Sequence, residues 1–222
     1  MPIHQDLFPE DTLFHRIART VCRAGFLPRK ELYEAWETAR RVRRRFRGGR
    51  VVDLACGHGL LAQIMLILDR TSPLALAVDT RIPQNAQTLL AAMSETWPFL
   101  RDRISFESRD ITEIALLPGD MVVSAHACGS LTDVILARAV TARARVAVLP
   151  CCHDLKTCDT GGLFSWMPPD LAVDAVRALK LRDAGYQVYT AAIPHAITPK
   201  NRLLMGEPAG PEEPSFSSSS RP

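Results

Sequence analysis

A chain of 222 residues suits one α/β domain with short additions. Hydrophobic residues supply 47% and charged residues 23%, and the formal net charge of +3 excludes a polycation and fits an ordinary globular protein. The charge is uneven, because "ARRVRRRFRGGR" (Ala39 to Arg50) gathers arginine in one short stretch.

The opening "MPIHQDLFPED" carries early acids and no apolar run of the signal-peptide kind. The greasiest stretch, "LLAQIMLIL", is too short to span a bilayer. A soluble, cytoplasmic protein with no membrane contact is expected, with its six cysteines kept as thiols.

Two helices come first. "EDTLFHRIARTVCRAG" sets Leu13, Phe14, Ile17 and Val21 at helical spacing and ends at Gly25. "RKELYEAWETARRVRRRF" repeats the pattern through Leu32, Ala35, Trp36, Ala39 and Val42, and the Gly48-Gly49 pair stops it. From there β-rich runs alternate with helical ones. "RVVDLA" is a strand, "GLLAQIMLILDR" a helix, "LALAVD" a strand and "PQNAQTLLAAMSETW" a helix with proline near its start. "RISFES" and "DMVVSAH" are strands. "SLTDVILARAVTAR" is a helix with Ser130 as its expected N-cap. "RVAVLP" is a strand, "PPDLAVDAVRALKLRDAG" a helix, and "YQVYTAAI" and "NRLLMG" are closing strands. Apolar strands alternating with helices predict a mostly parallel sheet covered on both faces. The expected organisation is an N-terminal helical extension (1–47), a Rossmann-like α/β domain (48–206) and a disordered tail (207–222) rich in Pro, Glu, Gly and Ser.

"VVDLACGHGLLAQ" joins the first strand to its helix. Gly57, Gly59 and Ala62 fit the pattern GxGxxG/A, and Asp79 ends the next strand. Small residues let backbone approach a ligand, and the helix N-terminus favours an anion. A dinucleotide-dependent oxidoreductase using NAD(P) is therefore one alternative. Asp53 argues against it, since a pyrophosphate gains nothing from a carboxylate beside its loop. S-adenosylmethionine carries an ammonium and a sulfonium, which tolerate one. Asp79 can accept from both ribose hydroxyls. Asp110, after the third strand, is suited to an adenine amino group, with Ile111 for the ring face.

With these residues in order, the chain from about Arg50 to Gly206 resembles a class I S-adenosylmethionine-dependent methyltransferase. The resemblance implies a seven-stranded sheet whose last strand is antiparallel. It also implies a loop of Asp53, Cys56, Gly57 and Gly59 for the methionine end of S-adenosyl-L-methionine, with Asp79 on the ribose and Asp110 and Ile111 on the adenine. "SAHACGSLTD" and "LPCCH" resemble a narrower subgroup that includes tRNA acceptor-stem ribose 2′-O-methyltransferases and methyltransferase-like proteins. Unlike those tRNA enzymes, this sequence has no cysteine/histidine-rich region near its start.

"VLPCCHDLKTC" (Val148 to Cys158) and "SAHACG" bring His126, Cys128, Cys151, Cys152, His153 and Cys158 to the ends of two strands. Zinc is one use for thiolates and imidazoles, but there is no CxxC pair, and successive strand residues point Cys151 and Cys152 apart, so no metal is expected. A cysteine nucleophile is a second use, which methyl transfer does not need. The third is a wall of the acceptor pocket, with His126 as first candidate base and His153 as second. Lys156 and Lys200, two of the four lysines, are further candidates for assisting ribose 2′-O transfer. The (Asn/Asp)-Pro-Pro-aromatic turn in which adenine and cytosine amino methyltransferases resemble one another does not follow the fourth strand here, and that lack of resemblance disfavours exocyclic amino methylation.

RNA is the preferred acceptor, bound through Arg40, Arg41, Arg43, Arg44, Arg45 and Arg47 as a positive face for phosphate. A small molecule or a protein side chain is the alternative acceptor.

Overall fold

The computed structural model describes residues 4–210. Two helices, α1 (Leu13–Ala24) and α2 (Arg29–Arg45), precede the sheet. Thr12 caps α1 by accepting from the His15 backbone N–H at 3.2 Å, and Gly25 closes it in the left-handed region at φ +83°. α2 stops at extended Phe46, ahead of the Gly48-Gly49 pair expected to end it.

The alternating elements follow as β1 (Val51–Leu54), α3 (Leu60–Leu68), β2 (Ala75–Asp79), α4 (Ala86–Thr96), β3 (Ile104–Ser108), β4 (Met121–Ser124), α5 (Ser130–Ala142), β5 (Arg145–Val148), α6 (Pro169–Asp183), β6 (Tyr186–Ala192) and β7 (Arg202–Pro208). They form one seven-stranded sheet in the order β3-β2-β1-β4-β5-β7-β6. The first five run parallel, and β7 lies antiparallel to both β5 and β6. This is the expected Rossmann-like class with its antiparallel last strand. β7 reaches Pro208, past the expected start of the tail at 207, and residues 211–222 of that tail lie outside the described residues.

Alternation along the strands separates two cores. Val51, Ala75, Ala77, Met121 and Val123 face α1, α2, α3 and α4, through Ile17, Leu32, Val42, Ile64 and Leu89. Val52, Leu54, Val78, Val122 and Val146 face α5 and α6, through Ile135, Ala139 and Leu181. The N-terminal helices therefore share the core of the α3 face. β1 and β4 are buried along their whole length. Ser130 is the first residue of α5, not its cap. Gly129 takes the cap position at φ +55° and ψ −133°, and no side chain caps the helix. Among the described residues no helix is long and apolar enough to cross a membrane.

Register fixes where the loops emerge. Leu54 stands beside Val78, and Ser124 beside Val148. The segments after β1, β2, β4 and β5 thus leave the sheet on one side, the carboxyl ends of the strands, where open α/β sheets bind ligands.

Candidate active site

A cavity of about 430 Å³ opens at this edge, lined by Glu31, Ala35, Ala55, Cys56, Gly57, His58, Leu60, Leu61, Asp79, His126, Cys128 and Leu131. That volume suits a small-molecule ligand. Its floor is the loop from β1 to α3. Three of its five residues have positive φ: Ala55 at 59°, Gly57 at 53° and Gly59 at 69°. A non-glycine residue in that region is uncommon and marks local strain.

The loop is pinned from both ends. The Cys56 N–H donates to the Val78 carbonyl at 3.0 Å, and the Gly57 N–H donates to Asp79 Oδ2 at 3.0 Å. The two glycines answer to different needs. A Cβ on Gly59 would stand 2.6 Å from the Phe106 ring, whereas one on Gly57 would meet nothing within 4 Å. Gly57 therefore borders open space, and a side chain at Gly59 would have to displace the tip of the half-buried Phe106 ring.

Asp79 is half-buried, and its carboxylate meets both the loop and the cavity. Asp53 differs. Its carboxylate is 1% exposed, accepts the Ala62 N–H at 3.1 Å and does not line the cavity. Burial pushes its carboxyl up to about 7, Asp79 adds to the rise, and the Ala62 N–H opposes it. Asp53 fixes the first turn of α3 beneath the loop. Cys56 is buried beside it, and burial raises its thiol pKa. Asp110 is exposed and caps the short 3-10 turn at Ile111–Glu113, accepting from the Thr112 N–H at 2.8 Å and the Thr112 hydroxyl at 2.6 Å. These bonds to Thr112 hold its carboxyl below the usual range. Ile111 is buried in the α5–α6 core. Neither Asp110 nor Ile111 lines the cavity.

His126 is exposed and lines the cavity together with Cys128. The His153 ring is elsewhere. It is 3% exposed and its Nε2 lies 2.7 Å from Asp174 on α6. Asp174 also accepts from Arg202 at 2.7 Å, and Asp170 takes Arg202 and Lys200 at 2.6 and 3.3 Å. Arg202 foremost pushes the Asp170 carboxyl down to about 2. This network ties the segment after β5 and the β6–β7 hairpin to α6. Lys200 belongs to it, and Lys156 is exposed.

Sequence reasoning missed two ionisable residues at the cavity. His58 sits between the loop glycines, its ring 4.9 Å from Phe26 and its Nδ1 3.8 Å from Glu31. Its place inside "GHG" was the available signal. Glu31 comes from the first turn of α2, and nothing local marked it.

The thiols also differ from expectation. β5 ends at Val148, so Cys151 and Cys152 are loop residues and strand alternation does not separate them. The sulfurs of Cys128, Cys151 and Cys152 all lie within 4.8 Å of one another.

The arginine run is not one free basic face. Arg43 is 2% exposed, so it cannot meet a partner. It bonds the Met65 carbonyl at 3.1 Å and Ser72 at 2.7 Å, and pairs with Asp69 at 3.2 Å. Burial lowers its pKa to about 10, with Asp69 opposing. Arg40 and Arg41 pair with Glu37, Arg45 lies 3.6 Å over the Tyr189 ring, and Arg47 bonds the Leu68 carbonyl at 3.1 Å. Arg44 is exposed.

Comparison with known proteins places this geometry. Among solved structures, an O-methyltransferase family protein from Burkholderia thailandensis matches with TM-score 0.52 at 16% identity, over 92% of this chain and 64% of its own. The tRNA methyltransferase TrmK of B. subtilis matches with TM-score 0.52 at 16% identity, over 78% and 65%. A putative RNA methyltransferase from Pyrococcus horikoshii matches with TM-score 0.51 at 16% identity, over 82% and 87%. The chain thus spans just under two thirds of the first two proteins. Identity this low speaks for the fold alone. No curated protein matches the sequence. The family model described as "Methyltransferase domain" matches residues 30–158, more than half of the chain, from the second residue of α2 to Cys158. The protein belongs to this methyltransferase-domain family.

Proposed function

We propose that the protein transfers a methyl group from S-adenosyl-L-methionine to RNA. Two features of the cavity fit the donor: open space over Gly57, and the carboxylates of Asp79 and Glu31 at its wall. Carboxylates accept from ribose hydroxyls and attract an ammonium. Asp79 would hold the ribose, and the Gly57–Gly59 loop with Glu31 would receive the methionine end. The bound donor supplies an electrophilic methyl on a sulfonium. His126 stands at the cavity and takes the acceptor proton, while the loop and α2 exclude water from the transfer.

One observation carries the choice of RNA. A second cleft, of about 450 Å³, is lined by Arg29, Lys30, Tyr33, Ala196 and Ile197. It shares the first turn of α2 with the donor cavity, which Glu31 lines. Arg29 lies 5.3 Å over the Tyr33 ring and Lys30 pairs with Glu34 at 3.6 Å, yet both cations are exposed at the cleft, where they suit a phosphate. This cleft supports RNA better than the Arg40–Arg47 run, because it adjoins the donor cavity and the run does not line that cavity.

The test is transfer of labelled methyl from S-adenosylmethionine into an extract of a deletion strain, followed by separate nuclease and protease digestion. Label released by nuclease and lost in an Arg29→Glu, Lys30→Glu variant is the expected result. Label in protein or small molecules overturns RNA and keeps methyl transfer. No label, with no calorimetric binding of S-adenosylhomocysteine, overturns the donor.

A further inference from the structure

The thiols of Cys128, Cys151 and Cys152 form a cluster that methyl transfer from a sulfonium does not use. Cysteines that serve as small hydrophobes are buried. Here Cys128 and Cys152 are exposed and Cys151 is half-buried. Yet the three sulfurs converge, Cys128 and Cys151 at 3.1 Å and the whole set within 4.8 Å. Thiolates around tetrahedral zinc stand about 3.8 Å apart, given Zn–S bonds of about 2.3 Å.

The backbone beneath them is held. The Leu149 N–H donates to the Ser124 carbonyl at 2.9 Å, and the Gly129 N–H donates to the Cys152 carbonyl at 3.2 Å. Arg177, 1% exposed, donates to the Gly129 carbonyl at 2.8 Å and to Asp133 at 2.8 Å. The loops after β4 and β5 are therefore joined before any ligand arrives, and the sulfurs are presented on a fixed frame. Burial foremost, then the neighbouring sulfurs, raises the Cys151 thiol pKa. A cation among the sulfurs reverses that opposition.

We propose that Cys128, Cys151 and Cys152 bind one thiophilic divalent cation, zinc in the cell, as three thiolates. Each thiol releases its proton to solvent as its sulfur–metal bond forms, with no change of oxidation state. The fourth coordination position is left to water or to a donor atom of the acceptor. Cys128 also lines the donor cavity, so the ion sits at that cavity's edge. This departs from the sequence expectation of no metal, which rested on the lack of a CxxC pair and on Cys151 and Cys152 diverging as strand residues.

The test uses the full-length protein, reduced and stripped of metal, titrated with cobalt(II) under argon. One cobalt per chain is expected. It should give a near-ultraviolet thiolate-to-cobalt charge-transfer band and intense visible bands of tetrahedral symmetry, both abolished by equimolar zinc. Release of three protons per cobalt, followed with a pH indicator, counts the thiolates. Cys128→Ser, Cys151→Ser and Cys152→Ser should each weaken the charge-transfer band and lower zinc affinity at least tenfold. Cys22→Ser, remote on α1, should leave both unchanged. Absence of the band, or a band unaltered by the three substitutions, overturns the site. So does a band that Cys22→Ser removes. Because the readout is spectroscopic, its failure is separate from failure of S-adenosylhomocysteine to bind.

Discussion

The two glycines of the β1–α3 loop should respond to the same substitution in different ways. Gly59→Ala puts a Cβ on a residue at φ +69°, which costs about 1–2 kcal/mol. That Cβ also lands 2.6 Å from Cε1 and 2.9 Å from Cζ of Phe106, and pushing the ring from its place adds about 1–3 kcal/mol. The expected loss is about 2–5 kcal/mol. Gly57→Ala, at φ +53° with nothing within 4 Å of the new Cβ, loses only the backbone part, about 1–2 kcal/mol. Its methyl stands instead on the cavity floor, where it should weaken binding of S-adenosylhomocysteine. Urea unfolding followed by far-ultraviolet circular dichroism reads both, as midpoint shifts at constant slope. Adding Phe106→Leu should recover part of the Gly59→Ala loss, with a coupling of about 1–3 kcal/mol. Equal losses for the two glycine variants, or strict additivity with Phe106→Leu, would refute the packing argument.

Asp53 carries a folded-state pKa of about 7, above its unfolded value of about 4, so the native state holds a proton that the unfolded chain has lost between those pH values. Stability should fall through this window by about 1.4 kcal/mol per pH unit from this group, and Asp53→Asn, which keeps an acceptor for Ala62, should flatten the curve. Equal pH slopes for the two proteins would sink that assignment. Arg43→Met leaves Asp69, 4% exposed, without its guanidinium and should destabilise by about 3–5 kcal/mol; a midpoint unchanged in urea would show the pair contributes nothing. His126→Ala should lower methyl transfer by about 10²–10⁴-fold while S-adenosylhomocysteine affinity stays constant; loss of affinity instead would make His126 a donor-binding residue.

Particular residues show what the sequence could tell. The strand–helix alternation was legible because periodicity is a local signal, and the placement of Gly57, Asp79 and His126 at one cavity followed from loop composition together with the family resemblance. Asp53 and Asp79 looked alike, since both belong to the end of an apolar strand. One is sealed under α3 and the other meets the cavity, and register separates them: Asp53 stands beside Ala77, two residues short of Asp79 at the carboxyl end of β2. Composition alone makes the arginine run a patch. Arg43 stands one helical turn beyond Ala39, and with Leu32 and Val42 it belongs to the face turned inward, so periodicity held that information. The cysteine cluster was hidden by extending strand alternation past Val148, where the chain has already left the sheet. Glu31 reaches the cavity through tertiary packing of α2 alone.

The position of β7 bears on how the chain comes together during synthesis. β6 precedes β7, yet β7 lies between β5 and β6 and, among the described residues, is the only strand that hydrogen-bonds β6. A nascent chain that has reached Ala192 has five parallel strands that can assemble, and a sixth with no neighbour. Until Pro208 clears the ribosome, the edge of β5 and the backbone of β6 are both open to foreign strands. The hairpin that completes the sheet also carries Arg202 and Lys200 to α6. The seventh strand is thus the one that covers the edge of β5 and gives β6 its neighbour, leaving β3 and one side of β6 as the edges of the described sheet.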